Sequence, residues 1–280
     1  MSVLILYLPM RAMLTLRPSN KPVFALKAIE TGDYEAYKEE LSALEKTCAR
    51  MQEEKHLIKL LLTFRHGNNY YLLFEWADGN LEEFWKTFPT EPAKAFPERW
   101  AAKQCLGIAT AVKRIHGLTT WQKEERLSPR ASLTEPERDW GRHGDIKPEN
   151  ILWFREQKEI RNLLVMSDLG LTRYHSRLSK SFVPRKHIDG CSWAYRPPEL
   201  DIEESISQKY DIWSLGCVFL EFCVWYLQGH EGVVDFSYQR MDEDAFTYEG
   251  VKIDKFFNIE QGEDRRKEPR VKEAVEKVSL

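Results

Sequence analysis

A chain of 280 residues, 42% hydrophobic and 30% charged, is long enough for one large domain or two small lobes around a buried core. Its formal net charge of -3 argues against a strongly basic face, so neither nucleic-acid nor membrane binding is expected. Five cysteines, Cys48, Cys105, Cys191, Cys217 and Cys223, are odd in number and hold no Cys-x-x-Cys pair, which argues against a disulfide framework or zinc site and for a reducing, intracellular compartment, cytoplasmic or nuclear.

At the amino end, Val3-Leu4-Ile5-Leu6-Tyr7-Leu8 raises the question of a secretory signal. No basic residue precedes it and Pro9 and Arg11 interrupt it, so a short strand or two is predicted, and no membrane-length apolar span is expected anywhere. Val23-Phe24-Ala25-Leu26-Lys27 follows the turn signals Pro18-Ser19-Asn20 and reads as a strand. From Asp33 to Met51, Tyr37, Leu41, Leu44, Cys48 and Met51 recur at spacings of 4, 3, 4 and 3, the stripe of an amphipathic helix. Glu40 shares that face, whereas Glu35 and Glu39 read as solvated.

Leu57 to Phe64 and Tyr70 to Trp76 read as two strands joined through His66-Gly67-Asn68-Asn69. Trp100 to His116 reads as a long helix with Ile108, Val112 and Ile115 on one face. Residues from about 118 to 141 are charged and lack apolar periodicity, so they read as a surface insertion. Leu163-Leu164-Val165-Met166 has the composition of a buried strand ending at Asp168. Asp211-Ile212-Trp213-Ser214-Leu215-Gly216 opens an apolar helix, and a last helix is predicted over Arg270 to Val278.

The chemistry concentrates in His143-Gly144-Asp145-Ile146-Lys147-Pro148-Glu149-Asn150. Asp145, Lys147 and Asn150 supply a carboxylate to orient a hydroxyl, an ammonium for phosphoryl charge and an amide oxygen for a metal, at offsets 0, +2 and +5. In this spacing, His-x-Asp-x-Lys-x-x-Asn, the stretch resembles the catalytic loop of eukaryotic protein kinases. Three further stretches are similar to motifs of that family, in its order. Asp168-Leu169-Gly170 resembles the second magnesium motif, with Leu in place of Phe. Tyr195-Arg196-Pro197-Pro198-Glu199 resembles the close of an activation segment, and Asp211 to Gly216 resembles the start of the central helix of the larger lobe.

The resemblance implies an α+β fold of two lobes, with residues 1–77 as a small, mainly β N-lobe, residues 78–280 as a mainly α C-lobe, and both ends incomplete. It implies ATP and Mg2+ as cofactors and a protein substrate with a Ser or Thr acceptor, because Lys147 separates the loop from that of tyrosine kinases. In the roles carried over, Asp145 orients the acceptor hydroxyl and Lys147 neutralises the γ-phosphoryl, with Ser192 bonding both, while Asn150 and Asp168 hold magnesium. Lys27, paired with Glu40, contacts the phosphates. Ala25 and Leu152 flank adenine, with Phe74 as the gatekeeper at the back of its pocket, and Glu75, Ala77 and Asn80 belong to the hinge and its exit. Leu44, Leu60, His143 and Leu169 form a column anchored through Asp211.

The sequence also departs from the family. Gly144 stands where many kinases have an arginine that docks an activation-segment phosphate. No glycine precedes Gly32, so the Gly-x-Gly-x-x-Gly loop expected upstream of Lys27 is missing. For the arginine that pairs with Glu199, only Arg265, Arg266 and Arg270 offer themselves. Two rival readings follow. A small-molecule kinase shares His-Gly-Asp but lacks Lys147, the Pro-Pro-Glu closure and the Asp-x-Trp-Ser-x-Gly helix; a catalytically weak or inactive pseudokinase would act as a binding or scaffold protein.

Overall fold

The computed structural model describes residues 23–30, 34, 37–38, 41, 54–67, 69–117, 140–157, 160–169, 173–175, 183–184, 192–202, 205–244, 252–261 and 267–278. The first sheet contains β1 (Phe24–Glu30), β2 (Leu60–His66) and β3 (Asn69–Glu75), antiparallel in the order β1-β3-β2. Its register puts Ala25, Phe74 and Leu60 in one row and Lys27, Leu72 and Thr63 in another, all on the same face, because alternate residues of a strand share a face. Tyr34, Tyr37, Lys38 and Leu41 are helical, and Tyr37 stacks on Tyr70 at 4.1 Å, so the helix lies over that face. Leu44, Cys48 and Met51, the rest of the predicted stripe, lie outside the described residues, as does the amino-terminal stretch.

Beyond Ala77 the chain enters the helical part. β4 (Gly79–Asn80) leads into α1 (Leu81–Thr87), the short α2 (Pro92–Ala95) and the long α3 (Glu98–His116). Asn80 starts α1 with a capping box: its side chain accepts from the Glu83 N–H and the Glu83 carboxylate accepts from the Asn80 N–H, both at 2.9 Å. β5 (Trp140–Arg142), β6 (Ile151–Gln157), β7 (Ile160–Met166) and β8 (Arg173–His175) make two further sheets, β4-β6-β7 and β5-β8. A small pair joins β9 (Val183–Pro184) to β10 (Ser205–Ile206), around α4 (Glu199–Ile202). Then come α5 (Lys209–Asp242), the hairpin β11 (Phe257–Gln261) and β12 (Lys267–Val271), and α6 (Glu273–Val278).

The core sits where α1, α3, β6 and α5 meet. Phe84, Trp85, Trp153 and Trp225 are almost wholly buried, and Phe84 has five aromatic neighbours, including Trp100, Trp153 and Trp225. At about 1.5–3 kcal/mol for each large apolar side chain buried, this cluster outweighs any local propensity. Ile108, Val112 and Ile115 are buried as their spacing predicts.

Several boundaries differ from expectation. The strand predicted from Leu57 begins at Leu60; Leu57 instead forms a parallel bridge to Met166, and the Ile58 N–H donates to Met166 O at 2.8 Å. The far end of the predicted insertion, Trp140 and Gly141, belongs to β5 and pairs with Tyr174 and His175. The helix predicted over Arg270 to Val278 starts only at Glu273, since residues 267–271 are a strand. α5 also contradicts the expectation of no membrane-length span, being long and apolar enough to cross one by composition alone. It is a core helix here: half of its most apolar window is buried, and it buries Asp211, Glu221 and Arg240 against protein partners.

Candidate active site

The site is built on the turn between β5 and β6. His143 and Gly144 are held from below by Asp211 at the start of α5, whose two carboxylate oxygens accept their backbone N–H groups at 2.7 and 2.9 Å. His116 Nε2 lies 2.7 Å from the same carboxylate. Complete burial by itself would raise the Asp211 carboxyl, but the hydrogen bond and charge of His116, with His143 and the Gly144 N–H, hold it below the usual carboxylate range. His143, wholly buried, donates from Nε2 to Ser167 O at 2.9 Å and accepts the Asp145 N–H at Nδ1 at 3.3 Å. The ring proton therefore sits on Nε2.

Above this base, Asp145, Lys147, Asn150 and Ser192 converge. Lys147 Nζ lies 2.9 Å from Asp145 Oδ2 and donates to Ser192 Oγ at 2.8 Å, and the Ser192 hydroxyl donates to Asp145 Oδ1 at 3.0 Å. Asn150 Nδ2 donates both to Asp145 O at 2.8 Å and to Asp145 Oδ2 at 2.9 Å, turning its amide oxygen away from the aspartate. The turn Pro148–Asn150 fixes this geometry, closed by the Asn150 N–H to Lys147 O at 3.0 Å. Asn150 O in turn accepts both the N–H and the hydroxyl of Ser167, each at 2.9 Å, so this turn and the end of β7 are locked together.

Asp168 follows at φ +54, a conformation costly for most side chains and tolerated by Asp. Its carboxylate lies 3.2 Å from Lys27 Nζ, which reaches across from β1. This ion pair joins the first sheet to the helical part. Ala25 pairs with Phe74 on the same face as Lys27, and Leu152 on β6 pairs with Asn80. Ala77 is buried, Glu75 accepts from Gln157 Nε2 at 2.5 Å, and Asn80 is engaged in its cap. Glu40 and Leu44 lie outside the described residues, while Leu60 pairs with Phe74 and Leu169 is buried. Arg270 pairs with Glu260 at 3.7 Å rather than serving Glu199, and Arg265 and Arg266 are outside the described residues.

Sequence reasoning missed three supports of this site. The segment from Glu54 to Ile58 docks on β7 and α3: Glu54 pairs with Arg114 at 2.8 Å and His56 Nδ1 lies 2.7 Å from Leu164 O. Tyr195, below Ser192, donates to Glu221 at 2.8 Å, and Arg240 holds the same carboxylate at 2.6 Å between the rings of Phe236 and Phe256. His116 reaches Asp211 from 95 residues away. None carries a local signal, because each partner is distant in sequence.

Residues 141–274 match the family described as protein kinase domain. Human homeodomain-interacting protein kinase 4 is 28% identical over 207 residues, covering 73% of this chain and 29% of that protein. Cyclin-dependent kinase 7 of Dictyostelium discoideum is 29% identical over 178 residues, 61% of this chain and 39% of its own length. Serine/threonine-protein kinase Doa of Drosophila melanogaster is 27% identical over 214 residues, 70% of this chain and 22% of its own. The chain is thus similar to eukaryotic protein kinases, with serine/threonine kinases among the relatives named, and the family match lies within residues 141–274. It spans less than two fifths of the length of these kinases. Two of its divergent features, Gly144 and Leu169, fall inside the matched region.

Proposed function

We propose that this kinase domain transfers the γ-phosphoryl group of ATP to Ser or Thr hydroxyls of protein substrates. The observation that carries the reading is the convergence of Asp145, Lys147, Asn150 and Ser192 within hydrogen-bond distance, facing the Lys27–Asp168 pair. Asp145 would align the acceptor hydroxyl and take up its proton as the bond to phosphorus forms. Lys147 would neutralise charge on the transferring group, and Lys27 would leave Asp168 for the α- and β-phosphates, with Glu40 as its second partner. Positioning and charge stabilisation carry such a reaction.

Magnesium fits the donor set. Asn150 and Asp168 offer hard oxygens, and no group of three or more His, Cys, Asp or Glu suited to a metal occurs among the described residues, which accords with an ion held by two side chains plus phosphate oxygens. Asn150 and Asp168 would hold magnesium there, and it would supply positive charge that neutralises the phosphates. Adenine would lie between Ala25 and Leu152, against Phe74, with the backbone from Glu75 to Ala77 as its edge partner and Asn80 at the exit. The lobe boundary falls near residue 78. Cys105, Cys217 and Cys223 are free thiols, which supports an intracellular setting, cytoplasmic or nuclear.

A scaffold role on the same fold is the second reading, favoured by the absence of any glycine before Gly32. Asp145→Asn separates the two. It keeps the shape and removes the charge and basicity, so phosphorylation of a Ser/Thr peptide in single turnover should fall about 100-fold or more. Equal rates for parent and variant, or no transfer by the parent, would leave the scaffold reading standing.

A further inference from the structure

The hairpin of β6 and β7 carries a pocket of about 470 Å³, lined by Thr87 and Phe88 where α1 ends and by Arg155, Glu156, Arg161 and Asn162. Arg155 stands five residues along the chain from Asn150, so at about 3.3 Å per residue the pocket lies roughly 17 Å from the Pro148–Asn150 turn. Three side chains in its wall hold N–H donors with no acceptor among the described residues. The Arg155 guanidinium packs over the Trp153 ring at 5.2 Å, Arg161 is exposed, and neither forms an ion pair among the described residues. Asn162 adopts φ +52, which Asn tolerates better than most residues, and two indoles pin it there. Trp153 Nε1 donates to its Oδ1 at 3.0 Å and Trp100 Nε1 to its carbonyl oxygen at 3.2 Å, which leaves its Nδ2 as the third donor. Glu156 is the one carboxylate in the lining; it stands opposite Arg161 in the strand register, yet no ion pair joins them. Two guanidiniums against one carboxylate make this wall positive in a chain whose formal net charge is -3.

We propose that this pocket binds a phosphorylated Ser or Thr side chain of a partner peptide, with the phosphate on Arg155, Arg161 and Asn162 Nδ2 and a neighbouring apolar residue against Phe88. Guanidinium groups match phosphate oxygens two at a time, and paired arginines are a recurring device for reading phosphorylated segments. A phosphate brings three acceptor oxygens to three donor groups, where a carboxylate brings two. The volume falls in the range of ligand pockets and exceeds the needs of a bare oxyanion, which leaves room for the residue that carries it. Phe88, partly buried against the aromatic core, supplies the apolar wall. None of Lys27, Asp145, Lys147 and Asp168 lines the pocket, so the inference is independent of the catalytic reading.

Fluorescence anisotropy of a labelled peptide, Gly-Leu-phosphoserine-Leu-Gly, tests this on the whole chain, with binding expected at about 10 to 500 μM. Arg155→Gln and Arg161→Gln should each weaken it at least about tenfold, since each removes a charge-assisted contact. Glu156→Gln should instead tighten it about two- to fivefold by removing a repelling charge, a change of sign that damage to the fold cannot imitate. Lys103→Gln, exposed on α3 and outside the pocket, should leave it unchanged. Because Arg155 also packs on Trp153, Arg161→Gln decides if circular dichroism shows that Arg155→Gln has lost its fold. No binding at about 1 mM peptide, equal binding of the unphosphorylated peptide, full affinity in Arg161→Gln, or the same loss in Lys103→Gln would each overturn the proposal. So would inorganic phosphate that competes as tightly as the phosphopeptide binds, which would mean an adventitious ion only.

Discussion

Gly144 adopts φ +86, in the region where a side chain is strained and glycine is not, and both the N–H groups around it are tied to Asp211. The glycine therefore answers a backbone demand as well as removing a guanidinium. Gly144→Arg should cost about 1–3 kcal/mol of stability, measured by urea unfolding, and should not raise activity in proportion to any activation-segment phosphate it could dock. A variant as stable as the parent would mean that the turn relaxes without strain. At this scale the sequence was most informative. Asp145, Lys147 and Asn150 are legible because a single tight turn brings them together, so spacing alone encodes their meeting. Glu54, His116 and Arg240 were not, since their partners lie 60, 95 and 19 residues away and only the packed core fixes those distances.

Among the elements, α5 shows how tertiary contact overrides local pattern. Gly229 breaks its helical backbone at φ +80, and a Cβ there would meet Pro89 O at 2.2 Å, where the His230 N–H also donates at 2.9 Å. Gly229→Ala should therefore destabilise by about 3 kcal/mol or more, combining backbone strain with a clash against a fixed carbonyl. Gly216, on the same helix with open space around it, gives the opposite sign: alanine there should stabilise by about 0.5–1 kcal/mol. Thermal melts of the two variants check both. The α6 boundary was misread for a related reason, because the carboxylate of Glu243, at the end of α5, accepts the N–H groups of Glu273 and Ala274 at 2.6 Å each. A cap supplied from 30 residues away leaves no mark beside the helix it starts. Beside that cap, burial pulls the Lys272 ammonium down to about 8, with Lys255 and Arg240 adding to the effect and Asp244 and Glu243 opposing it. An unfolded lysine keeps its proton to about pH 10.4. Between those values the unfolded chain binds more protons, so this group's contribution to stability rises with pH. Urea midpoints from pH 7 to 10 should climb less in Lys272→Met than in the parent; identical slopes would remove Lys272 as the cause.

Across the whole molecule, two lobes meet at one cleft through the Lys27–Asp168 pair and the segment Glu54 to Ile58 docked on β7. The two-lobed architecture was legible because the order of four motifs specified it, whereas the docking of Leu57 beneath the cleft was not, since an isolated bridge has no periodicity to read. Nucleotide affinity is the property on which the enzyme and scaffold readings divide most sharply. Phosphates are usually cradled by backbone N–H groups that glycine lets approach closely, and the residues before Lys27 hold no glycine, with Pro9 and Pro18 lacking an N–H altogether. The loss of two or three charge-assisted hydrogen bonds, at about 1.5–3 kcal/mol each, weakens binding by roughly a hundredfold or more. On the proposed reading Lys27, Asn150 and Asp168 would still hold the phosphates and their magnesium, so Mg-ATP should bind, but only in the high micromolar to millimolar range. Calorimetry with Mg-ATP measures this directly, and repeating it on Lys27→Met shows whether the cleft is the site, since the variant should lose what affinity there is. Low-micromolar binding by the parent would show that the cradle is made without glycine, and no binding even at millimolar nucleotide would leave the protein a kinase fold that works by contact alone.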